Sequence, residues 1–196
     1  KNIEHLRLGF YTGDIFTSQP QKNRDVLPIL KMLRRIQPTV ISLAFDPEGS
    51  GPDTHYKVLQ AIAQALIQWK KEKDLSELRI IGYRNVWFRF HPSEANVFTP
   101  VSLNSMAVLD WSFRNCYISQ VDASFPSPEL DGPFSDLSRQ IWVEQYKQVQ
   151  LILGKDFFYD NDSPKIRATH GMIFYKEMNI DEFIMKALQL ERSIEG

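Results

Sequence analysis

Short apolar runs that alternate with helical patterns are the feature of this sequence that most constrains its fold. Residues 39–45 and 78–83 each form a short run rich in β-branched and apolar side chains. Between them, residues 54–71 repeat apolar side chains at helical spacing. A nearly continuous apolar run is typical of a parallel strand covered on both faces. We therefore predict a strand–helix–strand unit with a right-handed crossover, and a central place in the sheet for residues 39–45.

Two patterns before this unit extend it. Residues 5–11 alternate polar and apolar side chains, as a half-buried strand does. Residues 25–36 carry a helical pattern, which Pro38 ends. The resulting order of strand, helix, strand, helix, strand predicts an α/β fold of the Rossmann-like three-layer sandwich type with a mostly parallel sheet.

The rest of the chain is less regular. Its patterns predict strands at residues 96–100 and 170–176 and helices at residues 103–115, 137–153 and 181–191. A proline-rich loop over residues 124–135 has the composition of a linker, but little chain follows it to build a second core. We therefore expect a single domain over residues 1–196.

Charge and cysteine content exclude several classes of partner. The 196 residues include 23 basic and 24 acidic side chains, so no overall field favours nucleic acid or an anionic membrane. No apolar run approaches the roughly 18 residues that suggest a membrane span. Cys116 is the only cysteine and cannot form an internal disulfide, which fits a reducing compartment. We expect a soluble, cytoplasmic protein without nucleic-acid or membrane partners.

The beginning of the chain suggests a fragment of a larger fold. Lys1 is not preceded by methionine, no signal pattern follows it, and the first predicted strand is already under way at Leu6. We expect that the N-terminal portion of the fold is absent and that its loss leaves an unpaired sheet edge. The predicted partner of that edge is either the missing N-terminal segment or a second copy of the chain.

A glycine-bearing loop between residues 45 and 55 is the best candidate for a functional site. It joins the carboxyl end of a predicted strand to a helix whose first turn contains His55. Ligands bind beyond the carboxyl ends of parallel strands, and the positive end of a helix favours the neutral imidazole that zinc requires. His55 is thus a candidate metal ligand. The same position also suits a partly buried, hydrogen-bonded histidine at a capped helix start.

This segment resembles a signature of the LmbE/PIG-L family of zinc-dependent N-deacetylases. The shared features are a strand ending in Asp46-Pro47, a loop with glycines and a helix opening on His55. Residues 24–41 and 118–120 are similar to the family's flanking segments, and the likeness covers most of residues 1–180. The most similar members are LmbE-like halves fused behind a glucosamine-6-phosphate deaminase domain.

The resemblance implies a zinc-dependent hydrolase that removes the acetyl group from an N-acetylated amino sugar. In that case His55 is a zinc ligand and Asp46 is a carboxylate that orients the loop or the histidine. The family's other zinc ligands and its general base come from a His-Pro-Asp-Asp motif, which has no match here. The inner histidine of the loop is replaced by Pro52 or Asp53. We therefore expect either an incomplete hydrolase or a noncatalytic sugar-sensing or scaffolding domain appended to a glucosamine-6-phosphate deaminase.

Arg84 and Trp87 are the candidate substrate-binding residues. Both follow the predicted strand at residues 78–83, where a guanidinium can donate hydrogen bonds to a sugar and an indole can stack on its ring. Residues 87–90, which are Trp-Phe-Arg-Phe, fit an exposed strand equally well.

Overall fold

The computed structural model describes residues 3–10, 17–46, 53–84, 89–118, 121 and 133–195. The elements in these ranges are α1 (Leu27–Ile36), β1 (Val40–Ala44), α2 (Asp53–Lys70), β2 (Arg79–Tyr83), β3 (Val97–Val101), α3 (Leu103–Cys116), α4 (Phe134–Leu153), α5 (Asp156–Tyr159), α6 (Pro164–Arg167), β4 (Gly171–Met178) and α7 (Ile180–Glu195). A π-helical turn over Lys22–Val26 runs directly into α1.

The four strands form one mixed sheet in the order β1-β2-β4-β3. β1 and β2 are parallel, with Val40 opposite Arg79, and the long helix α2 connects them. β3 and β4 are antiparallel, with Phe98 opposite Phe174. The α/β class is confirmed. The sheet is mixed, because the second half of the chain adds an antiparallel pair, whereas the sequence predicted mostly parallel strands.

Two predictions about strands were wrong. Residues 3–10, which include most of the strand expected over residues 5–11, contain no strand. The backbone N–H of Gly9 instead donates to the carboxylate of Asp25 at 2.7 Å, so a side chain takes the donor that a sheet would use. The second error concerns β1, which was expected at the centre but lies at an edge of the sheet formed by the described strands.

The chain divides into two compact units. We call Lys1–Tyr83 together with Glu177–Gly196 the discontinuous unit, and Arg84–Lys176 the inserted unit, because the second interrupts the first in sequence. Whether the two behave as one domain over residues 1–196 stays a prediction.

In the discontinuous unit, α2 is the central helix of the core. Leu59 and Leu66 of α2 are buried, as are Phe183 and Ala187 of α7. Gln60 of α2 is also buried, and its amide donates to the carbonyl of Ala187 at 2.9 Å. A buried amide needs such a partner, so this hydrogen bond fixes α7 against α2 in one register.

In the inserted unit, aromatic contacts join α3 to α4 and β3 to β4. Phe113 of α3 stacks on Phe134 of α4 with ring centroids 5.7 Å apart. Phe98 of β3 meets Phe174 of β4 edge to face at 4.9 Å. Such pairs add directional packing to the burial of apolar area, so they help to define one arrangement of these elements.

The part of the chain that the structure describes contains no helix that is both long enough and apolar enough to cross a membrane.

Candidate functional site

The candidate site lies where the parallel pair β1 and β2 ends. β1 ends at Ala44 and β2 at Tyr83, and the N–H of Phe45 still donates to the carbonyl of Tyr83 at 2.8 Å. Asp46 is the next residue after Phe45, and α2 starts at Asp53. Most of the glycine-bearing loop, residues 47–52, lies outside the described residues.

His55 is half-buried in the first turn of α2, as the sequence predicted. Burial lowers the pKa of its imidazole, and the negative charge of Asp46 acts in the opposite direction without cancelling that effect. The two residues predicted for the metal site are therefore close enough to interact electrostatically. The neutral imidazole favoured at neutral pH is the form that coordinates zinc.

Lys57 is a buried charge that the sequence reading missed. Its side chain is only 8% exposed, and its Nζ lies 2.8 Å from Oδ2 of Asp53 and 2.5 Å from Oγ1 of Thr17. The Thr17 hydroxyl in turn donates to Asp53. We call these three residues the Lys57 cluster. The i, i+4 spacing of an acid and a base at a helix start was the available signal, but Thr17 is 40 positions away from Lys57.

The Lys57 cluster keeps a negative charge on Asp53. Hydrogen bonds from Lys57 and then from Thr17 lower the pKa of this carboxyl, against the smaller opposing effect of burial. Asp53 is one of the two residues in the place where the resemblance expects a histidine that stabilises an oxyanion. A carboxylate repels an oxyanion, so Asp53 cannot supply that stabilisation.

Asp25 fixes the chain that leads towards α1. Its side chain is fully buried and accepts hydrogen bonds from the N–H of Gly9 at 2.7 Å and of Gln21 at 2.8 Å. Arg24 adds an ion pair at 2.8 Å. Burial raises the pKa of Asp25, but the hydrogen bonds from Arg24, Gln21 and Gly9 outweigh it, and the pKa lies below its usual range. Asp25 is thus a structural carboxylate.

Of the two predicted substrate-binding residues, the structure describes only Arg84, because Trp87 lies outside the described residues. Arg84 opens the inserted unit and donates from Nη1 to the carbonyl of Arg89 at 3.0 Å. Its guanidinium lies over the ring of Phe90, 4.8 Å from the centroid. These contacts hold Arg84 in a defined position. Sugar binding by Arg84 and Trp87 stays a prediction.

The fit of zinc to the described residues is partial. His55 has the position and the ionisation of a zinc ligand. Among the residues that the structure describes, no group of three His, Cys, Asp or Glu side chains is arranged to hold a metal ion. A catalytic zinc typically has three protein ligands, so His55 alone does not make a metal site.

Comparison of the chain with family models, with curated proteins and with solved structures finds no match.

Proposed function

We propose that this chain is part of a zinc-dependent hydrolase that removes the acetyl group from an N-acetylated amino sugar, within a Rossmann-like three-layer fold. The observation that most supports the proposal is the half-buried His55, whose pKa is lowered by burial. It lies in the first turn of the helix that follows β1, where ligands of parallel sheets bind.

Each candidate residue has a defined role in this proposal. His55 coordinates zinc through a neutral ring nitrogen, and Asp46 orients the imidazole through its negative charge. Arg84 and Trp87 bind the sugar by hydrogen bonding and stacking. Zinc, when bound, supplies the Lewis acidity that amide hydrolysis requires.

Zinc affinity tests the role of His55 without relying on activity. We expect His55→Ala to weaken zinc binding to the protein by at least about tenfold. Loss of a group that only orients a ligand already reduces metal affinity by about that factor. The measurement is a titration against a chromophoric chelator. His91→Ala and His170→Ala are matched controls at exposed histidines and leave the affinity unchanged. Equal zinc affinity of His55→Ala and the wild type, or a loss in either control instead, would remove His55 from the site.

A second candidate function is a noncatalytic sugar-sensing or scaffolding domain, appended to a glucosamine-6-phosphate deaminase. The ionised Asp53 supports it, because neither Asp53 nor Pro52, the two residues in the place of the expected histidine, can stabilise an oxyanion. Calorimetry with N-acetylglucosamine and mass spectrometry of the incubated sugar separate the two functions. Binding with acetate release supports the hydrolase. Binding of N-acetylglucosamine to the protein in the presence of zinc, without any release of acetate, supports the sensor.

A further inference from the structure

The Lys57 cluster connects the candidate site to a distant part of the chain through Thr17. Asp53 and Lys57 both belong to α2, whereas Thr17 precedes Asp53 by 36 positions. We propose that Thr17 is a positioning residue for His55, because its hydroxyl fixes the first turn of α2 to the N-terminal segment of the chain. The proposal rests on the proposed function in one respect, namely that the histidine which Thr17 positions binds zinc.

The hydroxyl of Thr17 acts both as an acceptor and as a donor. It accepts a hydrogen bond from Nζ of Lys57 at 2.5 Å and donates one to Oδ2 of Asp53. Nζ of Lys57 also lies 2.8 Å from the same carboxylate oxygen. The three side chains thus form a closed triangle, in which the hydroxyl is the member that comes from outside the helix. A hydroxyl suits this place because it can accept from an ammonium and donate to a carboxylate at the same time.

The burial of Lys57 makes the Thr17 hydroxyl difficult to replace. The carboxylate of Asp53 is more than half exposed, whereas the side chain of Lys57 is buried. Water therefore solvates the carboxylate but hardly reaches the ammonium, which depends on acceptors within the protein. Without the hydroxyl, Lys57 either loses an acceptor or moves towards solvent. Both changes loosen the turn of α2 that carries it.

The segment that contains Thr17 is itself anchored. The N–H of the next residue, Ser18, donates to the carbonyl of Phe10 at 2.7 Å, and Phe10 is buried. Nη2 of Arg24 donates to Oγ of Ser18 at 3.1 Å, and Arg24 is paired with the fully buried Asp25. A hydrogen bond positions a helix turn only if its other end is also fixed. These contacts fix the end at Thr17.

Thr17 acts on His55 through the backbone of α2. At 3.6 residues per turn, residues 53 and 57 lie on one side of the helix and residue 55 lies on the opposite side. The Lys57 cluster therefore does not occupy the side of α2 from which the imidazole extends, but it fixes the backbone that carries the imidazole. Metal affinity depends on how a ligand is oriented, so a looser turn weakens the binding of a metal through His55.

Thr17→Val tests this role, because valine has the branched shape of threonine without its hydroxyl. The measurement is amide hydrogen exchange by NMR, without zinc, at residues 57–59, whose N–H groups bond to the carbonyls of residues 53–55 in a helix. We expect exchange there to become about fivefold faster, the factor that the loss of one hydrogen bond implies. Amides around Leu66, in the middle of α2, should change less, because the opening is local.

Two further variants serve as controls for the exchange measurement. Thr17→Ser retains the hydroxyl and should restore exchange at residues 57–59 to nearly the wild-type rate. Thr99→Val makes the same substitution at an exposed position on β3 and should leave these amides unchanged.

Zinc affinity of the same variants tests the connection with His55. We expect Thr17→Val to weaken zinc binding by about fivefold, in proportion to the opening of the turn, and Thr17→Ser to restore it. In a protein that already carries His55→Ala, Thr17→Val should cause no further loss, because the ligand that it positions is gone.

Two results would overturn the proposal. The first is exchange at residues 57–59 that Thr17→Val leaves unchanged, or accelerates only as much as it does around Leu66. The second is a zinc affinity that falls in His55→Ala but not in Thr17→Val. Equal zinc affinity of His55→Ala and the wild type is a different result, since it contradicts the proposed function. Faster local exchange in Thr17→Val would then still support the role of Thr17 in placing His55.

Discussion

The ionisation of His55 is decided by two opposing effects of its surroundings. Burial favours the neutral imidazole and the carboxylate of Asp46 favours the charged one, and burial is the larger effect. His55 therefore has a pKa below its ordinary value of 6.5 in the folded protein. Its contribution to stability is fully present above that value and is lost as the pH falls through the folded pKa.

Asp46→Asn should lower the pKa of His55 further, because the substitution removes the one charge identified as favouring the imidazolium. The measurement is an NMR titration of the histidine Cε1–H signals. Asp74→Asn, in an exposed turn with Ser76, is the control and should leave the titration of His55 unchanged. A pKa for His55 that is unchanged or higher in Asp46→Asn would show that Asp46 does not act on this histidine.

Asp25→Ala should destabilise the protein by about 3 kcal/mol, because it leaves two backbone donors and the Arg24 guanidinium without their buried acceptor. Urea denaturation at neutral pH measures the loss. The folded pKa of Asp25 is lowered, so the wild type has this stabilisation above about pH 4 and loses it in stronger acid. The difference in the free energy of unfolding between wild type and variant should therefore become smaller in acid. Asp160→Ala, at an exposed position, should change the urea midpoint little, and a similar loss in both variants would contradict the role of Asp25.

At the scale of the element, the first turn of α2 depends on the Lys57 cluster. Lys57 is a buried cation whose carboxylate partner, Asp53, is more than half exposed. Water therefore weakens the ion pair between Lys57 and Asp53, but the buried ammonium of Lys57 still requires hydrogen-bond acceptors. The same turn carries His55, so the cluster also holds the candidate ligand in place.

A double-mutant cycle with Asp53→Ala and Lys57→Met should give a coupling of about 1 kcal/mol, a value reduced for the exposure of Asp53. Asp53→Ala alone should cost more than the double variant, because it leaves the buried ammonium without its carboxylate. The measurement is urea denaturation of all four proteins. The Arg34–Glu72 pair, in which neither side chain is buried, is the control and should show a smaller coupling. Additive effects of Asp53→Ala and Lys57→Met would mean that the ion pair does not stabilise α2.

Helices were predictable from the sequence where their cause is local. The predicted residues 54–71 and 103–115 correspond to α2 and α3, because helical periodicity can be recognised from residues that are close in sequence. The strand expected over residues 5–11 failed because Asp25 takes the N–H of Gly9 from 16 positions away. Alternation alone cannot show that a backbone donor has a side-chain acceptor elsewhere.

At the scale of the whole molecule, the pairing of strands that are distant in sequence could not be predicted from the sequence. The parallel pair β1 and β2 follows from a short strand–helix–strand unit. The antiparallel pairing of β3 with β4 joins segments about 70 residues apart, as in Val101 opposite Gly171, and no local pattern specifies it. The same distinction applies to the candidate site. His55 was identified from the pattern of its own helix turn, whereas Lys57 was missed because its environment depends on Thr17, which is distant in sequence.

The interruption of the discontinuous unit by the inserted unit sets the order of events on the ribosome. α7 packs on α2, but its residues are translated only after the whole segment Arg84–Lys176 has been made. At about 5–20 residues per second, this interval is on the order of ten seconds. Throughout it, α2 lacks the cover that α7 later provides. The inserted unit is continuous in sequence, so all of its residues have been synthesised before α7 is made. The discontinuous unit, which contains the first residues of the chain, therefore has its full set of residues only afterwards.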